Sequence, residues 1–427
     1  MPDRRPLAPV LGVLGVAVVT GSLAGAAGAA FIWLVDAGIE LVWDRLPDAL
    51  DAGTWWIVAA PVIGGVLVGL GQRFLGNHPA PISEYTKAWR SGGGIDAADT
   101  PASFANSLSA LVFGGPLGFE AALTGVVGGV GAWAGDSIGR AGHLLRQSWG
   151  WEQVDQLPAT LRRLPPWLAA LSGVLTFRWL PFGSLHFGVD LPDVDTTLSA
   201  PEALSAFAAG AILAIPVAWL LYAVSRSEHA SFFRRSPIMI AMAGGLVVGV
   251  LALGSDLVLF SGQGGLGRIA DTPTAELAYA AAAKALALIV VYLAGWRGGP
   301  IFPLWFAAAA WGTAAARGLG LDGLTLAVAC LTTVGVVFFR GKVLAGILLT
   351  MLIVPFSAFG AVIVGAVGSA VGFGLAEQAG LVPSLPPDGE AGTGHQEGDE
   401  RGGTSDGPER EVPQHQEGGD HAEPPGE

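Results

Sequence analysis

The chain has 427 residues, of which 52% are hydrophobic and only 13% charged, and its mean hydropathy is +0.54. Soluble domains carry about 25% charged residues, so the composition excludes a soluble globular domain and gives no reason to expect a nucleic-acid partner. It predicts an all-α polytopic membrane protein instead. The formal charge of −13 comes mostly from the end of the chain, where twelve Asp or Glu and two Arg from Asp388 onward give a net −10.

Residues 1–6 carry Arg4 and Arg5 and are followed by an apolar run from Leu7 to Val35. A signal peptide has an apolar region of only about 7–15 residues. The longer run predicts a membrane helix with a cytoplasmic N-terminus. Further apolar runs follow at Trp55–Leu70, Ala203–Val224, Ile238–Leu253, Leu277–Ala294 (interrupted by Lys284) and Val343–Leu375. Crossing a bilayer takes about 20 helical residues. Trp55 and Trp56 are expected as interfacial anchors. Between the runs, Gly114–Trp133 holds a single charge, Glu120, whose nearest charged neighbours are Asp99 and Asp136. The polar stretch Asp136–Arg163 is expected outside the membrane, and Ser261–Gly267 as a re-entrant loop. The tail, 381–427, is rich in Gly, Pro, Glu and His, so it cannot bury a core and is expected to be disordered. Cys330 is the sole cysteine and excludes an intramolecular disulfide. His78, His143, His186 and His229, like the tail histidines, show no metal-ligand spacing. No metal or other cofactor is expected.

Two short strings recur in one order. Phe113-Gly114-Gly115-Pro116-Leu117 matches Arg297-Gly298-Gly299-Pro300-Ile301, and the stretch beginning Phe177-Arg178 matches the one beginning Phe339-Arg340. They predict two repeats, 7–226 and 236–380, joined by a linker at 227–235. Each Gly-Gly-Pro reads as the entry to a helix that begins at membrane depth, because proline suits the first helical turn. Two such helix N-termini would converge on an anion. If the repeats are inverted, the linker lies outside; yet it carries Arg234 and Arg235, with Arg226 at its border, and these favour the cytoplasm.

These features resemble the CLC family of chloride channels and proton/chloride antiporters. Leu117-Gly118-Phe119-Glu120-Ala121-Ala122 falls where the family has Gly-Arg/Lys-Glu-Gly-Pro. Gly298-Gly299-Pro300-Ile301-Phe302-Pro303 resembles Gly-Gly-Ile-Phe-x-Pro, and Pro79-Ala80-Pro81-Ile82-Ser83-Glu84 is similar to Gly-Ser-Gly-Ile-Pro-Glu. The resemblance covers residues 7–380. It implies a CLC-like fold with two inverted-topology repeats and broken helices, in a multi-pass protein of the plasma membrane. It further implies transport of chloride or a similar small anion, no enzymatic activity, and a homodimer with one pathway per subunit. Glu120 takes the gating position. Gly118, Phe119, Ala80, Pro81, Ile82, Gly299, Ile301, Phe302 and Phe373 take the anion-binding positions. Phe373 stands nearest to the place of a family tyrosine, and Ala80 replaces a serine. If protons are exchanged for anions, Glu120 and Asp190 would carry them. Partner-facing helices are expected at Ala203–Val224 and Ala327–Val337.

A carboxylate in hydrocarbon costs about 2.5–3.5 kcal/mol on insertion scales. Three readings of Glu120 follow: a plug that occupies the anion's place until protonated, a structural acceptor of backbone N–H groups, or a residue near the interface. Asp190 lies with Asp193 and Asp195 in a polar loop, where a solvated charge is the simpler reading. Arg178 and Arg340 are read as helix-capping or vestibule charges. Three functions stay open: an anion channel or transporter, a proton-coupled antiporter, and, more remotely, a membrane enzyme or a non-transporting scaffold.

Overall fold

The computed structural model describes residues 7–81, 84–85, 96–149, 164–180, 198–228 and 235–383. The expectations for Ile82, Asp190 and the acidic tail fall outside these residues. The helices are α1 (Leu7–Glu40), α2 (Trp56–Leu75), α3 (Thr100–Val112), α4 (Glu120–Trp149), α5 (Leu164–Trp179), α6 (Ala200–Glu228), α7 (Pro237–Ala252), α8 (Thr274–Leu293), α9 (Ile301–Leu319), α10 (Gly323–Phe338), α11 (Val343–Met351) and α12 (Phe359–Gln378). A π-helical turn, Leu41–Arg45, prolongs α1. Among the described residues, five helices are long and apolar enough to span a membrane. Proline near the start of α3 and α7, and the Asp322 carboxylate accepting from Thr325 N–H at 2.8 Å before α10, set local helix starts.

The packing repeats itself. α2 lies antiparallel to α7, with Gly65 and Gly69 against Ala241 and Ile238, and Gly245 and Gly249 against Pro61 and Val58. α1 packs on α5 through Gly21 and Gly25, which meet Ala169 and Gly173; α12 packs on α6 through Gly368 and Gly372, which meet Phe207 and Ala211. In both pairs glycines four apart let the backbones touch, the usual solution where lipid supplies no hydrophobic drive between helices. α1 also packs on α3 as α6 does on α8, and α3 on α4 as α8 does on α9. Thus α1–α5 correspond to α6, α7, α8, α9 and α12, with the α2–α7 contact on the pseudo-two-fold axis.

This packing corrects several expectations. The string match at Phe177 and Phe339 is not structural, because α5 takes the place of α12, whereas Phe339 follows α10. Part of the expected excursion after Asp136 is helical, since α4 runs on to Trp149. Trp55 is exposed, but Trp56 is buried and donates its indole N–H to the Val42 carbonyl at 2.8 Å. Ala327–Val337 is buried along its whole length inside the protein and offers no face to a partner.

Candidate functional site

The two loops that interrupt the membrane helices have one conformation. After α3, Gly114 takes φ +81° and Gly115 N–H returns to the Ala110 carbonyl; after α8, Gly295 takes φ +81° and Trp296 N–H returns to the Val291 carbonyl. Gly114 therefore corresponds to Gly295, three residues out of register from the Gly-Gly-Pro match. A positive φ is the property that demands glycine here. Continuing this register pairs Gly118 with Gly299 and Glu120 with Ile301. The structure agrees: Gly118 and Gly299 form a reciprocal antiparallel bridge, each N–H donating to the other's carbonyl at 2.7 Å. α4 begins at Glu120 and α9 at Ile301, one residue after Pro300 but four after Pro116.

Large side chains peg this junction. Trp296 is fully buried, donates its indole N–H to the Ala241 carbonyl at 3.0 Å, and lies over Gly115 and Gly64. Tyr292 donates its hydroxyl to the Gly298 carbonyl, and Trp43 donates to the Val112 carbonyl at 2.9 Å. Arg297, also buried, donates to the Asn77 side chain at 2.7 Å.

Glu120 reaches across the bridge. Its Oε1 accepts from Ile301 N–H at 2.7 Å, and the Phe302 N–H also faces the carboxylate. The carboxylate of one helix start thus sits on the N-terminus of the other, where unpaired N–H groups and the helix dipole favour negative charge. Its Oε2 is buried with no hydrogen-bond partner among the described residues. The seat exists because Gly118 and Gly299 have no side chain: a methyl group on either would overlap the Glu120 carboxylate. The rings of Phe119 and Phe302 lie 4.7 Å apart beside it, and Trp305 meets Phe302 edge-on at 5.1 Å.

Phe119 is also a wall of an open cavity of about 720 Å³, bounded by Ile32, Val35, Asp36 and Ile39 of α1 and by the segment 256–268. The glycine-rich stretch read as a re-entrant loop forms part of this wall. Asp256 and Arg268 pair across it at 2.7 and 3.1 Å, which holds the guanidinium above its ordinary pKa. Lys284, fully buried in α8, anchors the same segment: its ammonium donates to the Val258, Leu259 and Phe260 carbonyls at 3.1, 2.8 and 2.9 Å and lies 5.1 Å from the Phe306 ring centre. Lys284→Met would strand three carbonyls in an apolar interior. At about 1–3 kcal/mol for an unsatisfied group, the expected loss is on the order of 3 kcal/mol or more, read as a lower melting temperature in detergent. An unchanged melting temperature would contradict this anchoring.

The structure thus brings Gly118, Phe119, Glu120, Gly299, Ile301 and Phe302 together. Ala80 gives its N–H to the Tyr85 hydroxyl at 3.2 Å, so that donor is already committed; Pro81 follows in the same loop. Phe373 is buried on α12 and packs on Gly341. Sequence reasoning missed Tyr85, Tyr292 and Trp296. Lys284 was visible as a break in an apolar run, but three loop carbonyls as its partners were not.

The profile of the family described as "Voltage gated chloride channel" matches residues 160–377, just over half of the chain. Among curated proteins, those whose names read "Putative ion-transport protein YfeO" in Salmonella schwarzengrund (strain CVM19633) and Salmonella newport (strain SL254) are 26% identical over 310 residues, covering 64% of this chain and 72% of theirs. Two solved structures share the fold. A CLC-type fluoride/proton antiporter superposes with a TM-score of 0.60 at 17% identity, covering 84% of this chain and 95% of that one. A slow cyanobacterial Cl−/H+ antiporter superposes with a TM-score of 0.64 at 15% identity, covering 86% and 98%. The broken-helix junction, the apolar spans and the matched profile agree: this multi-pass membrane protein, a transporter of chloride or a similar small anion, belongs to the voltage-gated chloride channel family.

Proposed function

We propose that Glu120 is the gate of the anion path. The observation that carries this reading is the seat itself: one carboxylate bound to the N-terminus of α9, between two glycines. An anion and this carboxylate compete for the same N–H groups. Protonating Glu120 weakens its hold and hands the place to the anion. Gly118, Phe119, Gly299, Ile301 and Phe302 then line the binding position. The resemblance to fluoride/proton and chloride/proton antiporters makes fluoride and chloride the first anions to test. Purified protein in liposomes should release one of them, measured with an ion-selective electrode, with and without a proton gradient. Absence of flux for chloride, fluoride, bromide and nitrate would refute the gate reading.

The arrangement also favours a definite topology. The C-terminal end of α2 with Arg73, the end of α6 with Arg226 and the start of α7 beside Arg235 share one side with the beginning of α1. The positive-inside tendency makes this side cytoplasmic. The repeats then divide between α5 and α6, and residues 227–235 connect the first two helices of the second repeat. That division removes the conflict between inverted repeats and a basic linker. Labelling a cysteine introduced at Ser231 from the cytoplasmic side only is the expected result. The functional unit is a homodimer, for which Leu344 and Leu348 of α11, with Leu352 just past its end, form an exposed apolar row at helical spacing; crosslinking cysteines placed there would trap it.

A further inference from the structure

Buried hydroxyls in apolar helices normally bond back to the carbonyl four residues earlier, as Thr332, Thr333 and Ser369 do here. One face of α3 departs from that habit. Thr100, Ser103 and Ser107 are spaced three and four apart and share a face. Ser103 and Ser107 are almost wholly buried, at 1% and 0% exposure. The hydroxyls of Thr100 and Ser107 have no partner among the described residues. The Ser103 hydroxyl adjoins that of Tyr85.

The helix opposite is α4, which begins with Glu120, and it meets this face with glycine. A methyl group at Gly125 would lie 3.0 Å from the Tyr85 hydroxyl and 3.2 Å from that of Ser103; one at Gly129 would overlap the Thr100 hydroxyl. Because Gly129 faces Thr100 and Gly125 faces Ser103, the helices run antiparallel. The path along α4 from Gly125 to Glu120 is ~7.5 Å, and that along α3 from Ser103 to Ser107 is ~6 Å. Ser107 therefore stands at about the level where α4 begins. Neighbouring hydroxyls on this face are separated by ~4.5–6 Å of helix rise, too far for a direct bond of about 2.7–2.8 Å. A water molecule between each pair would close the gap, as water does for buried hydroxyls that lack a protein partner. At the cytoplasmic end the row meets Asp99, whose carboxylate lies 3.6 Å from Nε2 of the partly exposed His78.

We propose that the seam between α3 and α4 is a hydrated proton relay, leading from the His78–Asp99 pair through Thr100, Ser103 with Tyr85, and Ser107 to the Glu120 carboxylate. The proposal rests on Glu120 being a titrating gate, and it deepens that reading by giving the proton a cytoplasmic route. Each hydroxyl passes its proton forward and receives one from behind, so one proton moves and every hydroxyl ends as it began. Glu120 is the acceptor. The charged groups facing the mouth are His78, Asp99 and Glu84, the last felt at Tyr85. On α1, Asp36 lines the opposite, outer cavity.

The test uses the full chain in liposomes, with anion release followed by electrode and proton movement by a trapped pH dye. Ser103→Ala/Ser107→Ala removes two hydroxyls and no packing volume beyond them. Proton movement is expected to fall at least tenfold while anion flux stays within about twofold, and Ser107→Thr should restore most of the proton movement. Full proton movement in the double variant, or anion flux in the wild type with no protons moved, overturns the relay. Should the double variant not fold, Ser107→Ala alone is read the same way. If the wild type moves no anion at all, the gate reading has failed separately. The relay is then judged on proton uptake under a pH gradient alone, where equal uptake by wild type and Glu120→Gln overturns it.

Discussion

Glu120→Gln should leave anion flux high at every pH, whereas flux through the unaltered protein should rise as pH falls. The sign follows from the seat. As a carboxylate, Glu120 accepts from Ile301 N–H through a charge-assisted bond, and such bonds contribute about 1.5–3 kcal/mol against about 1 kcal/mol for a neutral pair. Protonation, or replacement by an amide, therefore weakens the plug by roughly 1 kcal/mol or more. Since 1.4 kcal/mol is a tenfold change in population, flux at neutral pH should increase by about fivefold to tenfold and lose most of its pH dependence. Coupled proton movement should fall sharply, because an amide carries no proton. The measurement is flux against pH for both proteins, with melting temperatures alongside. A melting temperature lower by several degrees with an unchanged pH profile would assign Glu120 a structural role.

The position of this residue is legible because charge is scarce around it. A lone carboxylate between Asp99 and Asp136 has to be buried in protein or face water, and the structure buries it at a helix junction. The repeat register was less accessible. Matching letters aligned Gly114-Gly115-Pro116 with Gly298-Gly299-Pro300, yet what the fold conserves between its halves is a left-handed backbone, held by Gly114 and Gly295. A string match is blind to φ. The same register shows why the first half needs a carboxylate and the second does not: Glu120 and Ile301 occupy equivalent helix starts, and one side chain serves both N-termini. Outward faces were illegible for a different reason. In a membrane, lipid-facing, partner-facing and core positions are all apolar. Ala327–Val337 therefore looked like a partner surface although it is buried, whereas the exposed row on α11 carried no distinguishing signal. Tyr85 escaped notice because its hydroxyl returns to Ala80 by folding back within a loop, a contact with no periodicity to betray it.

The second large effect is expected at the glycines, where the residue changed carries no charge. Gly299→Ala would place a methyl group where the Glu120 carboxylate sits, and Gly118→Ala would do so from the other strand of the bridge. The backbone cannot retreat, because Gly118 and Gly299 hold each other through two 2.7 Å hydrogen bonds. The side chain must leave instead. Gly299→Ala should therefore behave like a permanently unplugged protein, with flux independent of pH although Glu120 is still present and ionisable. Overpacking costs typically 1–3 kcal/mol, so the melting temperature should also drop. Truncating the displaced side chain should relieve that strain: Glu120→Ala/Gly299→Ala should be more stable than the sum of the single changes predicts, with a coupling of about 0.5–3 kcal/mol for residues in direct contact. Additive stabilities together with a pH profile like that of the unaltered protein would mean that the carboxylate does not rest between these glycines. A non-additive cycle with pH-independent flux would tie the seat, and not merely the charge, to gating.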